Sequence, residues 1–303
     1  MSERSDAALK GLLNQLLTEM QQNSAAIISA NDNERLHDYR VAVRRSRSLL
    51  DQLPQLLPKR IEQRYSNHLA QLGALTTPLR DLDVVLLKFE NYRALLPKRL
   101  QNSLDPLRQL IETKRQQQRQ LLIKHLQSAG YRRYIKSWQT YLESPTPANT
   151  TLGNAKRPVK ELADSRIWRL YKKIVQQGNA ITNKSPASDL HALRKRCKKL
   201  RYLIDSFQPF YPAKKIQRLI ATLKTLQDHL GEFQDLCVHH DLFQTLAAEL
   251  PDPLPDPLEE KALQRLIQTL EKQQCQQRKH FHTYFKNFAG KKNHQHFKDL
   301  FKP

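Results

Sequence analysis

The chain has 303 residues, and Lys and Arg outnumber Asp and Glu by 51 to 29, which gives a formal net charge of +22. Glycine contributes only 7 residues, well below its usual share of roughly 7% of a chain, which argues against sheet-rich folds, and no glycine-rich phosphate loop is present. The 3 cysteines form no Cys-x-x-Cys pair, and no apolar run approaches the ~18 residues of a membrane span. We therefore expect a helical, cytoplasmic protein whose excess charge meets a polyanion rather than a membrane.

Apolar residues recur at helical spacing throughout the first half of the chain. The spacing predicts helices over residues 12–20, 36–53, 60–75, 79–96, 104–126 and 131–142. Prolines separate several of them, because proline lacks an N–H and restricts the residue before it. Pro54 and Pro58 are expected to end the second helix, and Pro78 to separate the third from the fourth.

The second half repeats this plan. Pro158 opens a helix, and further helices are predicted over residues 187–207, 213–230, 232–249 and 257–288. The proline-rich segment 251–257 cannot be helical and is expected to be a stiff surface connection. The basic tail 291–303 is expected to fray. The boundary between the halves is predicted within residues 144–158, where proline and small polar residues concentrate.

One pattern occurs in both halves, 154 residues apart. Residues 36–47 match residues 190–201 without a gap, and the register continues to Phe89 and Phe243. Further matches are Gln63-Arg64 with Gln217-Arg218 and, at a spacing of 150, residues 131–138 with residues 281–288. An internal duplication predicts two equivalent helical halves, 1–150 and 151–303, and a duplicated site.

The duplicated segments carry rows of cations. On a helix, residues at i, i+3, i+7 and i+10 share one face. These positions hold His37, Arg40, Arg44 and Arg47 in the first half, and His191, Arg194, Lys198 and Arg201 in the second. We call each row a cationic ridge. The remaining candidate residues beside the ridges are Arg45, Lys195, Lys199 and Tyr202. Like charges at i and i+4 cost roughly 0.2–0.5 kcal/mol per pair, so both ridges indicate an anion that offsets this cost.

Acidic residues on neighbouring helices offer a competing explanation. The candidates for such ion pairs are Asp51, Asp81, Asp205 and Asp235. Four carboxylates cannot neutralise the 10 cations of segments 36–47 and 190–201. An anion-binding surface is therefore favoured over ordinary ion pairing.

The sequence resembles the conserved histidine α-helical domain, or CHAD, family. The first-half signatures are His37-x-x-Arg40-Val41-x-x-Arg44-Arg45-x-Arg47 and Arg80-Asp81-Leu82-Asp83-Val84; the second-half ones are His191-x-x-Arg194-Lys195-x-x-Lys198-x-x-Arg201-Tyr202 and Leu226-Gln227-Asp228-x-Leu230-Gly231-x-x-x-Asp235. Asp205 departs from the family, which often has Glu there. The resemblance covers essentially the whole chain. It implies an all-α fold of two four-helix-bundle halves, related by a pseudo-twofold axis, with a basic central cavity that binds inorganic polyphosphate.

The expected function is thus polyphosphate binding by a granule-associated or targeting module, with polyphosphate-metabolising enzymes as further partners. Nucleic-acid binding is the alternative from charge alone, but single-strand binders interleave exposed aromatic residues with cations. The ridges offer only Tyr202 for this purpose, since Tyr39 falls on the core side.

Catalysis is not expected. Phosphate turnover needs carboxylates that hold a metal or a positioned nucleophile, and Asp83 corresponds to Cys237, so this acid is not duplicated. Neither His37 nor His191 has an acid or a cysteine at ligand spacing, so no metal and no cofactor are expected. His239-His240-Asp241 is interpreted as helix surface. A metal-dependent phosphohydrolase remains the less favoured alternative.

Overall fold

The computed structural model describes residues 3–30, 32–250 and 256–303, and the regular structure in these ranges is helical apart from one isolated bridge. The helices are α1 Ser5–Ser29, α2 Asn33–Gln52, α3 Lys59–Ala94, α4 Lys98–Gln101, α5 Asp105–Leu126, α6 Ala129–Glu143, α7 Val159–Ala180, α8 Ala187–Phe207, α9 Ala213–Ala247, α10 Pro257–Ala289 and α11 Lys291–Phe301. Short 3-10 turns follow α4 and α8. The predicted all-α fold is confirmed. Most of the proline-rich connection, residues 251–255, lies outside the described residues.

Two predicted helix breaks do not occur. α3 continues through Pro78, although proline in a helix interior costs ~3 kcal/mol or more. Leu72, Leu79 and Leu82 on both sides of it are buried, so packing outweighs the local cost. α9 likewise continues through Gly231, where two helices were predicted.

The C-terminal tail is ordered, contrary to the expectation that it frays. α11 places Phe297 and Phe301 in the core. The Phe297 ring stacks on Tyr171 of α7 with the ring centroids 3.9 Å apart. Two buried aromatic side chains therefore hold this basic segment against the bundle.

The first three helices of each half share one spacing. α7, α8 and α9 begin at residues 159, 187 and 213, each 154 residues after the starts of α1, α2 and α3 at 5, 33 and 59. The region beyond differs, because α5 and α6 are separate helices whereas α10 is continuous. Ser128 marks the break by accepting a hydrogen bond from Tyr131 N at 3.1 Å. No helix among the described residues has the length and apolar character that crossing a membrane requires.

Two clusters of buried apolar side chains form the core, and each draws on both halves of the chain. The larger one contains α1, α2, α6, α7, α8 and α11, the first parts of α3 and α9 and the last parts of α5 and α10. The smaller one contains α4, the later parts of α3 and α9 and the first parts of α5 and α10. The change between clusters falls between Leu79 and Leu82 in α3 and between Phe233 and Phe243 in α9. The ridge helices α2 and α8 pack against each other at the junction of the halves.

Candidate anion-binding site

The ridges lie at the edge of the core because of the helix faces that α2 and α8 bury. α2 begins after Asp32, whose side chain accepts a hydrogen bond from Glu34 N at 2.8 Å. Its apolar face, which includes Tyr39 and Val43, is buried, and so is the corresponding face of α8 around Leu193 and Cys197. Apart from Arg47, which is exposed, the adjacent cationic positions of both ridges are therefore partly buried.

Two side-chain contacts join the ridge helices directly. Arg44 Nε on α2 donates a hydrogen bond to the Tyr202 hydroxyl on α8 at 3.2 Å. Lys199 Nζ on α8 forms an ion pair with Asp51 on α2 at 2.5 Å. The two ridge segments, which the sequence showed only as a repeat, are thus in direct contact in the structure.

Four cations form the centre of the site: Arg40, Arg44, Arg194 and Lys198. We call them the central cluster. They occupy two pairs of equivalent positions, since 194 − 40 and 198 − 44 both equal 154. Burial, together with the charges of Arg194, Arg44 and Arg40, lowers the pKa of Lys198 to about 7, and the carboxylate of Asp235 offsets only part of this shift. Burial, with Arg44 as the next cause, also lowers the pKa of Arg40 to about 10. Cations are therefore crowded here in a poorly solvated place.

Several donors of the site have no acceptor. Arg40 Nη1 donates to Thr76 Oγ1 at 2.7 Å, to Thr77 Oγ1 at 3.1 Å and to the Gly73 carbonyl at 3.3 Å. Among the described residues, the Nε atoms of Arg40, Arg45 and Arg194 are buried and lack a hydrogen-bond partner. Buried donors without partners are costly, so an added acceptor would be favourable at these atoms.

Acidic residues near the central cluster do not balance its charge. Asp235 forms an ion pair with Lys88 at 2.8 Å. Asp81 forms no ion pair within the described part of the chain, and burial raises its pKa despite the nearby charges of Arg40 and Arg80. The other two predicted partners are engaged elsewhere, Asp51 with Lys199 and Asp205 with Arg201 at 2.7 Å. Ion pairs therefore neutralise cations at the edge of the site. The four cations of the central cluster form no ion pair within the described residues.

Each histidine that begins a ridge is held by the long helix beneath it. Arg80 Nη2 on α3 donates to His37 Nδ1 at 3.2 Å, which leaves the proton of neutral His37 on Nε2. Gln234 on α9 contacts His191 Nδ1 and occupies the position equivalent to Arg80, since 234 − 80 is 154. Burial lowers the pKa of His37, and Arg80 and Arg44 lower it further. His37 therefore offers a neutral donor near pH 7.

One sequence expectation about His37 is wrong. Glu34 and Asp38 do lie at ligand spacing, because ligand atoms of these two residues and His37 fall within 4.8 Å of one another. The acids at i−3 and i+1 reach the same side of the first turn of α2 as the histidine. His191 has Ser188 and Ala192 at the matching positions, so this arrangement is not duplicated.

The remaining predicted residues lie around the cluster without joining it. Lys195 and Arg47 are exposed, and Arg47 Nη1 lies 3.5 Å from where a side chain at Gly73 would begin. Lys199 and Arg201 are the ion-paired residues described above. Sequence reasoning left out Lys88, which no motif contains, and Arg80, whose motif was recognised without a binding role.

His239 is also misplaced by the sequence interpretation. It is buried rather than on the helix surface, and its Nδ1 contacts the Tyr92 hydroxyl. Burial lowers its pKa to about 4, although Asp235 opposes the shift. It is therefore a neutral residue packed beside the Lys88–Asp235 pair.

Comparisons with known proteins concern the family and the fold of the chain. The chain matches the model of the CHAD domain family over residues 11–244. The crystal structure of the CHAD domain from the plant Ricinus communis is similar, with a TM-score of 0.75 and 23% identity over 94% of this chain and 92% of that one. PptA from Streptomyces chartreusis is similar with a TM-score of 0.68 and 16% identity, over 94% and 100% of the two chains. No curated protein matches the sequence. At these identities the solved structures support the shared fold.

Proposed function

Since this chain belongs to the CHAD family, we propose that its central cluster binds inorganic polyphosphate. The observation that carries the proposal is the crowding of four half-buried cations from both halves, with few acids to balance them. Burial of like charges is unfavourable without a counter-charge. A polyanion would supply this counter-charge and would accept hydrogen bonds from the unpartnered Nε atoms.

Polyphosphate fits the chemistry of these donors. Each of its tetrahedral units carries about one charge and exposes oxygens to the side. Arginine presents a planar fork of donors to such oxygens, and lysine a compact charge. Because Arg40 and Arg194 come from different helices, successive units of one chain would contact both halves. Displaced counterions would add to the affinity, as they do for nucleic acids.

Nucleic acid suits the site less well. Base stacking requires exposed aromatic faces beside the cations. Tyr39 is fully buried and its hydroxyl bonds to Tyr131, while the hydroxyl of Tyr202 accepts from Arg44. A phosphate chain without bases needs no such faces.

Catalysis is not part of the proposal. Asp83 is buried and forms an ion pair with Arg115 at 2.6 Å, and Asp235 is paired with Lys88. These contacts give both acids a structural role. We place the protein in the cytoplasm, at polyphosphate granules or beside polyphosphate-metabolising enzymes, as a binding module.

A titration with two polyanions tests the proposal. Long-chain polyphosphate and single-stranded DNA are compared at matched charge and salt, with the parent and a central variant in which the four cations of the central cluster become alanine. We expect polyphosphate to bind the parent more tightly than DNA. In the central variant the slope of log affinity against log salt should flatten by about 3–4 units, if each lost contact releases roughly one counterion.

A matched control removes four exposed cations that lie on α4 and α10, outside the ridge helices. The residues are Lys98, Arg99, Lys261 and Arg265, which form no ion pair within the described residues. This control variant changes the net charge equally and should keep most of the parent's affinity. Equal losses in both variants would show that only overall charge matters, and would overturn the proposal.

A further inference from the structure

Two clefts away from the central cluster have cationic linings. The first outer cleft has a volume of about 530 Å³ and lies between α3 and α6. Its lining residues are Arg64, His68, Gly130, Arg133, Tyr134, Lys136 and Ser137. The second outer cleft has a volume of about 500 Å³ and lies between α9 and the junction of α10 with α11. Its cationic and titratable lining residues are Arg218, Lys286, Lys291, Lys292 and His296.

The two clefts occupy equivalent places in the two halves. Arg64 and Arg218 are 154 residues apart, and so are His68 and Thr222, which also line their clefts. Lys136 and Lys286 are 150 residues apart, at the spacing of the duplicated aromatic blocks. Two separate matches in the sequence thus meet in one cleft of each half.

Among the residues that the structure describes, no carboxylate lines either cleft. Within the described residues, the cations Arg64, Arg133, Lys136, Arg218, Lys286, Lys291 and Lys292 form no ion pair. These side chains are exposed, so they remain available to a ligand. Surface helices usually mix signs so that acids support neighbouring cations, and these clefts depart from that rule in both copies.

The first outer cleft also contains an unused donor. Tyr134 is 6% exposed, and its buried hydroxyl has no hydrogen-bond partner among the described residues. His68 stacks on the Tyr134 ring with the centroids 4.6 Å apart and the planes 5° from parallel. The Ser137 hydroxyl is bonded to the Tyr65 hydroxyl at 2.9 Å. The wall of the cleft is therefore fixed by packing before any ligand arrives.

The outer clefts face away from the central cluster. Arg64 and Gly73, the residue whose carbonyl accepts from Arg40, are nine positions apart on α3, about two and a half turns, and so lie on opposite faces. Arg218 and Gly231, which lies beside Arg194, are thirteen positions apart on α9, about three and a half turns. One ligand segment cannot fill an outer cleft and the central cluster at once.

We infer that the two outer clefts are additional binding sites for phosphate groups of a polyanion, so that one protein molecule holds up to three separate polyphosphate segments. This inference rests on the proposed function for the identity of the chain that is bound. Sites on different faces would let each protein molecule link neighbouring polyphosphate chains. Such cross-linking condenses a polymer through multivalency rather than through one tight contact.

Tripolyphosphate, which is too short to reach two sites, provides the first test. Calorimetric titration should give roughly three equivalents bound per parent chain. An outer-cleft variant, in which Arg64, Arg133, Lys136, Arg218, Lys286 and Lys292 become alanine, should bind roughly one equivalent. The central variant should bind roughly two. All six substituted residues of the outer-cleft variant are exposed, so circular dichroism should show unchanged helix content.

Long-chain polyphosphate provides the second test, through turbidity. The parent should condense it, and the outer-cleft variant should not, while still binding it at the central cluster. A charge control, in which Lys98, Arg99, Lys184, Lys261, Arg265 and Lys272 become alanine, should condense it like the parent.

The outcomes separate the two proposals. Unchanged stoichiometry and turbidity in the outer-cleft variant would overturn the outer sites and leave the central one standing. A central variant that binds as many equivalents as the parent would overturn the central site alone. Equal loss of turbidity in the outer-cleft variant and the charge control would show that condensation follows total charge, and would also count against the outer sites.

Discussion

Lys198 should make the proposed polyphosphate binding weaken between pH 7 and 9, a range in which a lysine with its ordinary pKa would stay charged. In the free protein, burial and three neighbouring arginines lower its pKa to about 7. A bound polyanion replaces the missing counter-charge and should return the pKa toward its usual value near 10.5. Between these two values, binding the ligand therefore requires uptake of a proton.

The size of the change in affinity with pH follows from the charged fraction of Lys198. With a free pKa of about 7, half of the molecules carry the charge at pH 7 and about one in a hundred at pH 9. Affinity should fall about 50-fold over this range, or roughly 2 kcal/mol. Binding at pH 8 should take up about 0.9 proton.

The stability of the free protein should depend on pH in the opposite direction to the affinity. Between pH 7 and 10 the unfolded chain holds the proton of Lys198 and the folded chain does not. The free protein should therefore gain stability from this group as pH rises through that window.

Calorimetry in buffers of different ionisation enthalpy measures the proton uptake directly. Long-chain polyphosphate is the suitable ligand, because only its terminal groups change protonation near neutral pH. The matched control is Lys198→Arg, which keeps its charge at all these pH values. We expect this variant to bind with little change from pH 7 to 9. Parent and variant with equal pH dependence, or a parent without any, would refute the account of Lys198.

Other predictions concern the stability of the folded chain and the contact between the two ridge helices. A hundredfold excess of polyphosphate over its dissociation constant should stabilise folding by about 2.7 kcal/mol and raise the melting temperature by at least a few degrees. Orthophosphate should raise the melting temperature less. An unchanged melting temperature with polyphosphate at low salt would contradict a binding site formed by the folded protein. Tyr202→Phe removes the acceptor of Arg44 Nε and should cost about 1 kcal/mol in urea unfolding and weaken polyphosphate binding severalfold; parental values in both assays would contradict the role of this contact. Gly178→Ala should destabilise by about 1–3 kcal/mol, because the new carbon would lie 2.0 Å from the Phe285 ring. Its control Gly11→Ala, in open space within α1, should stabilise by about 0.5–1 kcal/mol; equal effects would show that helix propensity alone decides.

The sequence predicted the parts of the molecule that depend on helical spacing. The ridges could be predicted as helix faces because the 3.6-residue period fixes which side chains share a side. Continuity through Pro78 was missed because burial of α3 outweighs a local preference. The ordered tail was missed because the partner of Phe297 is more than a hundred residues away, on α7. Lys88 was missed for the same reason, since its partner Asp235 lies in the other half.

The outer clefts show a second kind of limit. Arg64 with Arg218 and Lys136 with Lys286 were visible as matched pairs in the sequence. Their meeting in one cleft depends on how α6 and α10 pack beside α3 and α9, which no spacing rule predicts. The sequence therefore shows that a cation is repeated, whereas it does not show which residues of other helices lie beside that cation.

The charged layer between the two apolar clusters has a mechanical consequence. Asp81 and Asp235 lie on α3 and α9 at the level where the larger cluster gives way to the smaller. Repulsion among the cations beside them would loosen this level in the free protein, while the continuous helices keep the clusters connected. Four helices, α3, α5, α9 and α10, place buried apolar residues in both clusters and connect them across this level. A polyanion bound at the central cluster would offset this repulsion. The two apolar clusters would then unfold together rather than separately.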